Sequence, residues 1–381
     1  MSLAIRSLTG RETPPAPAEI DAFLAAHPVP LVEGSSVTFL YRGEAHAVRL
    51  HHWIYGLPSA RPFTRLPGTD LWYLIEELPP GSRVEYKLGL IAEAGEEEEL
   101  IRDPRNPLLA RDPFGANSVC HGDRYEQPAW TLPDPEARPG TIERLTLAET
   151  ALGREVPVAL YLPARFRTSR RYPLLVIHDG EDYLRYSALR TVLDNLIHRL
   201  EIAPLVAALP APGERLVEYA DDPAHARFLA EELVPALERR LPLRREPAAR
   251  GLMGASFGAV ASLSTAVRYP GRFGRLLLQS GSFAFTDIGP GRRGPVFAPV
   301  VRFMNRFRDR PERVSERVYV SCGIYESLIY ENRSLVPLLQ GTGMEVRYEE
   351  ARDGHNWENW RDRLRAALSW LFPGPLWMVY E

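Results

Sequence analysis

The sequence predicts two domains of different class: an antiparallel β-sandwich over residues 1–135, then an α/β domain on a largely parallel sheet over residues 136–381. Three observations carry this. Short patterns of period two follow one another in the N-terminal third with no helix between them. Apolar strand-like runs later alternate with helical patterns, the order that gives parallel strands covered on both faces. Between these regions, residues 102–139 are rich in Pro, Asp and Asn and read as an irregular connector.

The chain opens with a helical pattern at 18–26, introduced by prolines. Strand patterns follow at 36–41, 47–50, 71–75 and 83–88, separated by Gly, Pro and acidic clusters such as Gly95-Glu96-Glu97-Glu98-Glu99. In the second half, buried strands are predicted at 156–162, 172–177, 205–209, 249–253, 275–279, 317–321 and 346–350. An amphipathic stretch over 226–241 places Phe228, Leu229, Leu233 and Leu237 on one face, and a closing helix covers 360–371.

Composition narrows the function classes. A hydrophobic fraction of 45% excludes disorder, and a net charge of −3 gives no global basic field for nucleic acid or membrane. The basic residues are almost all arginine, with Lys87 the single lysine. Cys120 and Cys322 have neither metal-ligand spacing nor the pattern of a disulfide framework. No stretch approaches the roughly 18 apolar residues of a membrane span, and residues 1–13 have no apolar segment of signal-peptide length. The expectation is a cytoplasmic protein.

The chemistry concentrates in Gly254-Ala255-Ser256-Phe257-Gly258, a G-x-S-x-G sequence between a predicted strand and a helix. That context makes a sharp turn on which small neighbours let the backbone crowd and expose the serine hydroxyl. A serine needs a base, and the base an orienting acid. His355, in Asp353-Gly354-His355-Asn356-Trp357, follows the last predicted strand and stands where α/β active sites gather. The acid lies between serine and histidine in α/β-hydrolase order, which selects Glu326 after the 317–321 strand. Asp353 is two residues from the base, too near for an in-plane contact, and Glu331 reads as a helix-face charge. The backbone N–H groups of Phe257 and of Glu181 or Gly180 are the expected oxyanion donors. His178 and Asp179 read as loop framework.

In these residues the chain resembles the enterochelin (enterobactin) esterases, within the esterase D and antigen-85-like α/β hydrolases. The matching pieces are His178-Asp179-Gly180, Arg215 with Glu218-Tyr219, Phe228 to Pro235, Gly254 to Gly258, Gln279-Ser280-Gly281-Ser282-Phe283, Gly323 to Glu326, Asn332-Arg333 and Gly354-His355-Asn356-Trp357. They run in family order over residues 140–372. The N-terminal part, from Val37-Thr38-Phe39 through Thr69 to Tyr73 and Val84 to Lys87, is similar to the family's immunoglobulin-like (early-set) substrate-recognition domain, and Asp103 to Pro107 to its connector.

The resemblance implies a serine esterase that opens the trilactone of ferric enterobactin or a related catecholate siderophore, releasing iron, with no metal or organic cofactor in the chemistry. It nominates Arg215, Arg333 and Trp357 for substrate contact; ion pairs with Glu218 or Glu331 are the structural alternative for the arginines. Trp53 is also placed to stack on catechol rings, whereas Trp72 reads as core. Ala259 and Ala284-Phe285 depart from the family, where a glycine and tryptophans are frequent. Competing readings are an esterase of acylated carbohydrate or small aryl esters, and a non-catalytic glycan-binding module.

Overall fold

A computed structural model describes residues 3–289 and 293–375. These form two compact units: Met1–Glu126 with Ile324–Glu326 and Arg352–Gly354, and Gln127–Gly323 with Ser327–Ala351 and His355–Glu381.

The first unit carries two short helices, α1 (Arg6–Thr9) and α2 (Pro17–Ala26), and ten strands. The strands are β1 (Leu31–Glu33), β2 (Ser36–Arg42), β3 (Ala47–His52), β4 (Ala60–Pro62), β5 (Thr64–Arg65), β6 (Leu71–Glu77), β7 (Arg83–Ile91), β8 (Glu99–Ile101), β9 (Leu109–Asp112) and β10 (Gly115–His121). One sheet has the order β1-β2-β6-β5 and the other β4-β3-β7-β10-β9, with β8 on β7; every pair is antiparallel. Phe39 and Trp72 of the first sheet share a core with Leu50, Val84, Tyr86 and Cys120 of the second. Opposite faces of β2 and β6 use Leu40 and Leu71 to hold Ile20, Phe23 and Leu24 of α2.

Residues 102–139, read as an irregular connector, are in part sheet. Their first part forms the β9–β10 hairpin, and β10 pairs with β7. No large apolar alternation announced it, because the buried positions are Ala110, Ser118, Val119 and Cys120. Asp103 and Asn106 are buried too: the Tyr86 hydroxyl donates to Asp103 Oδ2 (2.7 Å), and Asn106 Nδ2 donates to the Val119 carbonyl (2.8 Å). Farther on, Trp130 enters the core of the second unit, where Asn195 Nδ2 donates to its carbonyl (2.9 Å). The units therefore part after Glu126, ahead of residue 135.

Six residues from late in the sequence complete the first unit. The Tyr325 ring joins its core and its hydroxyl meets Ser82 Oγ at 2.6 Å. Tyr55 N–H donates to the Tyr325 carbonyl (2.8 Å) and Arg83 N–H to the Arg352 carbonyl (2.9 Å). Buried Arg83 lies 3.3 Å from Asp353 and 3.2 Å from Glu85.

The second unit is an eight-stranded sheet of β11 (Thr141–Leu147), β12 (Val156–Leu162), β13 (Leu174–Ile177), β14 (Val206–Pro210), β15 (Arg250–Ala255), β16 (Arg275–Gln279), β17 (Arg317–Gly323) and β18 (Glu345–Ala351). Their order is β11-β12-β14-β13-β15-β16-β17-β18. Only β12 runs against the other seven strands, so β11–β12 and β12–β14 are the two antiparallel pairs. Along β12, Val158, Leu160 and Leu162 face one core while Ala159 and Tyr161 face the other, the period of a strand covered on both sides. Helices α8 (Phe257–Arg268), α9 (Ala298–Asp309) and α10 (Ile329–Gly341) line the first core. Helices α3 (Gly180–Tyr186), α4 (Leu189–His198) and α11 (Trp357–Leu371) line the second.

The connecting helices α5 (Arg215–Glu218), α6 (Pro223–Arg227) and α7 (Val234–Arg240) lead to β15. The amphipathic stretch buries Phe228, Leu229, Leu233 and Leu237 as expected, but Phe228–Leu233 widens into a π turn. Pro235, which has no N–H to offer the preceding turn, explains the widening.

Candidate active site

Ser256 stands between β15 and α8, at the carboxyl edge of a strand flanked by β13 and β16. Its backbone has φ +57 and ψ −122, outside the favoured regions for an L residue. The glycines around it are sterically required. A Cβ on Gly254 would lie 2.4 Å from the Gly258 backbone, and one on Gly258 would lie 3.0 Å from His178 Cβ. The turn is fixed by Ser256 N–H donating to the Gln279 carbonyl (2.9 Å) and Ser282 N–H donating to the Ser256 carbonyl (3.2 Å). The partly buried Ser256 hydroxyl meets Ser282 Oγ at 3.1 Å.

Phe257 is the first residue of α8, and Gly180 and Glu181 open α3 after Asp179, which has φ +54. First-turn N–H groups have no intrahelical carbonyl, so both loops present backbone donors. The Glu181 carboxylate turns away to Arg144, leaving its main chain as the chemically relevant part.

His355 is exposed on the loop between β18 and α11. Asn356 caps α11, its Oδ1 accepting from Asn359 N–H at 2.8 Å, so the loop ends immediately after the histidine. The His355 ring meets Trp360 edge to face at 5.0 Å. Trp360 is in turn bound to the end of β16: its indole donates to Ser280 Oγ (2.9 Å), and its carbonyl accepts from Gln279 Nε2 (2.8 Å). Gln279 also holds the Ser256 backbone, so one network links the two residues. Glu326 is buried in the segment after β17 and counts with the first unit. Asp353 accepts from Arg83 and from Gly354 N–H (2.7 Å) in that unit.

The loop framework expected of His178 and Asp179 is present. His178 is fully buried, and burial lowers its pKa to about 4. Its Nδ1 lies 3.1 Å from the Met253 carbonyl, which only accepts, so Nδ1 carries the proton. Nε2 then accepts from His225 Nε2 at 3.0 Å. Burial, followed by the neighbouring His178, pushes the His225 pKa well down.

The charged candidates pair differently from the sequence expectation. Arg215 grips Asp179 with two hydrogen bonds (2.8 and 2.6 Å), while Glu218 pairs with Arg154 (2.8 Å). Burial opposes the Arg215 charge, but Asp179 raises its pKa overall. Arg333 pairs with Glu350 (2.6 and 2.7 Å), whose hydrogen bonds raise the arginine's pKa. Glu331 is no surface charge: it is fully buried against Arg293. Trp357 is 9% exposed and packs edge to face on Tyr183 (5.2 Å) and Trp360 (4.7 Å), an environment of core packing. Trp53 is 55% exposed and Trp72 is buried. Ala259, on α8, and Ala284 and Phe285, the departures from the family pattern, are buried in the core that α8 lines.

A family model, "Putative esterase", matches residues 149–371. The chain belongs to this esterase family. It is similar to the iron(III) enterobactin esterase of Escherichia coli O6:H1, with 23% identity over 370 residues covering 87% of this chain and 90% of that protein. Among solved structures, ferric enterobactin esterase of Salmonella typhimurium superposes with TM-score 0.72 at 20% identity, covering 88% of this chain and 93% of that one. A ferulic acid esterase matches with TM-score 0.53 at 18% identity, over 61% of this chain and 98% of its own. The protein is thus a serine ester hydrolase with the α/β esterase fold. The sequence alone assigns no role to Ser282, Tyr183, Asn332 or Trp360. For Ser282 and Asn332 the available signals are the family matches at Gln279-Ser280-Gly281-Ser282-Phe283 and Asn332-Arg333.

Among the described residues, no cluster of three or more His, Cys, Asp or Glu is arranged to hold a metal ion, and no helix is long and apolar enough to cross a membrane.

Proposed function

We propose that this esterase hydrolyses the ester bonds of a catecholate siderophore of the enterobactin type, in the cytoplasm, with Ser256, His355 and Glu326 as its triad. Ser256 Oγ attacks the ester carbonyl carbon and gives its proton to His355, which returns it to the departing alkoxide as the C–O bond breaks. Water then attacks the acyl-enzyme, His355 accepting its proton and restoring it to Ser256. Glu326, nominated by its place in chain order, holds the imidazole tautomer. The Phe257 and Glu181 N–H groups receive the charge of the tetrahedral intermediate.

The observation that carries the reading is the strained Ser256 turn at the carboxyl edge of the sheet, in a chain of an esterase family. The siderophore part rests on the similarity to enterobactin esterases across both halves of the chain. In this reading the N-terminal sheets are an immunoglobulin-like recognition domain, and Arg215 and Arg333 approach the anionic ligand.

Mass spectrometry of ferric enterobactin incubated with wild type and with Ser256→Ala tests it. Linear dihydroxybenzoylserine products from the wild type alone are expected. Intact trilactone with both, from protein that still reacts with a fluorophosphonate, would discard the siderophore and turn attention to acylated carbohydrate and aryl esters.

A further inference from the structure

The contact between the two serine hydroxyls assigns a role to Ser282. We propose that Ser282 is a further catalytic residue, whose hydroxyl donates a hydrogen bond to Ser256 Oγ and supports negative charge on that atom. The inference rests on Ser256 being the nucleophile.

The geometry permits two directions for this bond, since either hydroxyl can donate at 3.1 Å. A Ser256 proton donated to Ser282 is unavailable to a base. Catalysis by Ser256 therefore requires the other direction, with Ser282 as donor and the Ser256 proton directed to His355. Oγ carries partial negative charge twice: while it attacks, and when it leaves the acyl-enzyme. A donor already aimed at it strengthens at both moments, and Ser282 itself gains or loses no proton.

The position of Ser282 is built rather than incidental. The hydroxyl-bearing residue is 3% exposed, and the turn that carries it is clamped on three sides. Asn332 Nδ2 donates to the Gly281 carbonyl (2.8 Å) while Gly281 N–H donates to Asn332 Oδ1 (3.1 Å). Trp360 holds Ser280, which has φ +44, and the Tyr183 hydroxyl donates to Gln279 Oε1 at 2.8 Å. Ser282 N–H meanwhile binds the Ser256 carbonyl, so both ends of the serine–serine contact are tied to one backbone register. Such preorganisation is what an electrostatic donor needs to act without rearrangement. It also gives buried Asn332, on α10, a positioning role.

The test measures the second-order rate of fluorophosphonate labelling at Ser256, and kcat and KM for p-nitrophenyl acetate, in wild type, Ser256→Ala, Ser282→Ala and Ser282→Cys. With Tm unchanged, Ser282→Ala should label and turn over about 10- to 100-fold more slowly at similar KM, the span of one hydrogen bond to a charged group. Ser282→Cys, nearly isosteric but a weak donor, should be slowed in the same direction, and decides the matter should the alanine variant fail to fold. Wild-type labelling rates in these folded variants overturn the proposal while leaving Ser256 as nucleophile. A wild-type protein that does not label at Ser256 overturns both.

Discussion

Two arginines nominated on the same grounds, Arg215 and Arg333, differ once their partners are known. Arg215 is only partly buried, but it neutralises Asp179, whose side chain is 3% exposed. Replacing Arg215 with Met leaves that carboxylate buried without its partner, a loss on the order of 3 kcal/mol of stability. Arg333, 47% exposed on its pair with Glu350, contributes little to the fold. Arg333→Met should leave thermal unfolding within about 2 °C of wild type and raise KM for an anionic siderophore ester. Equal unfolding temperatures for the two variants would contradict this difference in what the two arginines contribute to the fold. Sequence could nominate both positions but not tell them apart, because Asp179 and Glu350 are distant in sequence from the arginines they bind.

At the scale of elements, the buried histidine pair joins β13, α6 and α8: His178 follows the strand, His225 lies on one helix, and Ser262 Oγ on the other meets His178 Nδ1 at 3.0 Å. Both imidazoles are neutral in the folded chain because burial lowers their pKa, to about 4 for His178. An unfolded chain binds protons at its ordinary histidine value of 6.5. The unfolded state therefore takes up more protons as pH falls from about 6.5 toward 4, and stability is full above this window and declines through it. Urea unfolding across the window should give a free energy that falls with pH, with a shallower slope in His225→Gln. An unchanged slope in that variant would remove the pair as the cause. Most elements of this half were legible, since apolar runs such as Leu174 to Ile177 and Leu276 to Leu278 are buried on both faces and need no partner to be recognised. The β9–β10 hairpin was not, because its inward residues are small or polar and depend on Tyr86 and Val84 across the sheet. The Ser256 turn was legible because its demand for glycine is local. The clamp around Ser282 was hidden, being assembled from α3, α10 and α11.

For the molecule as a whole, the first unit is discontinuous in sequence, and Arg83 and Ser82 find Asp353 and Tyr325 from beyond the second unit's parallel strands. A fragment of residues 1–126 keeps both sheets but loses the Tyr325 ring and the Asp353 carboxylate. It should be less stable than the same unit in the full chain by on the order of 3 kcal/mol or more, measured by hydrogen exchange at the β7 amides. Equal protection in fragment and full chain would show the late residues to be dispensable.

That arrangement also sets a timetable. A polypeptide emerges from the ribosome N-terminus first, at about 5–20 residues per second. The strands of the first unit are made early, yet the residues that finish it arrive more than two hundred positions later, on the order of tens of seconds afterwards. For that interval the nascent chain carries a guanidinium destined for burial and a cleft awaiting an aromatic ring, so a pause or truncation late in translation reaches back to the part made first.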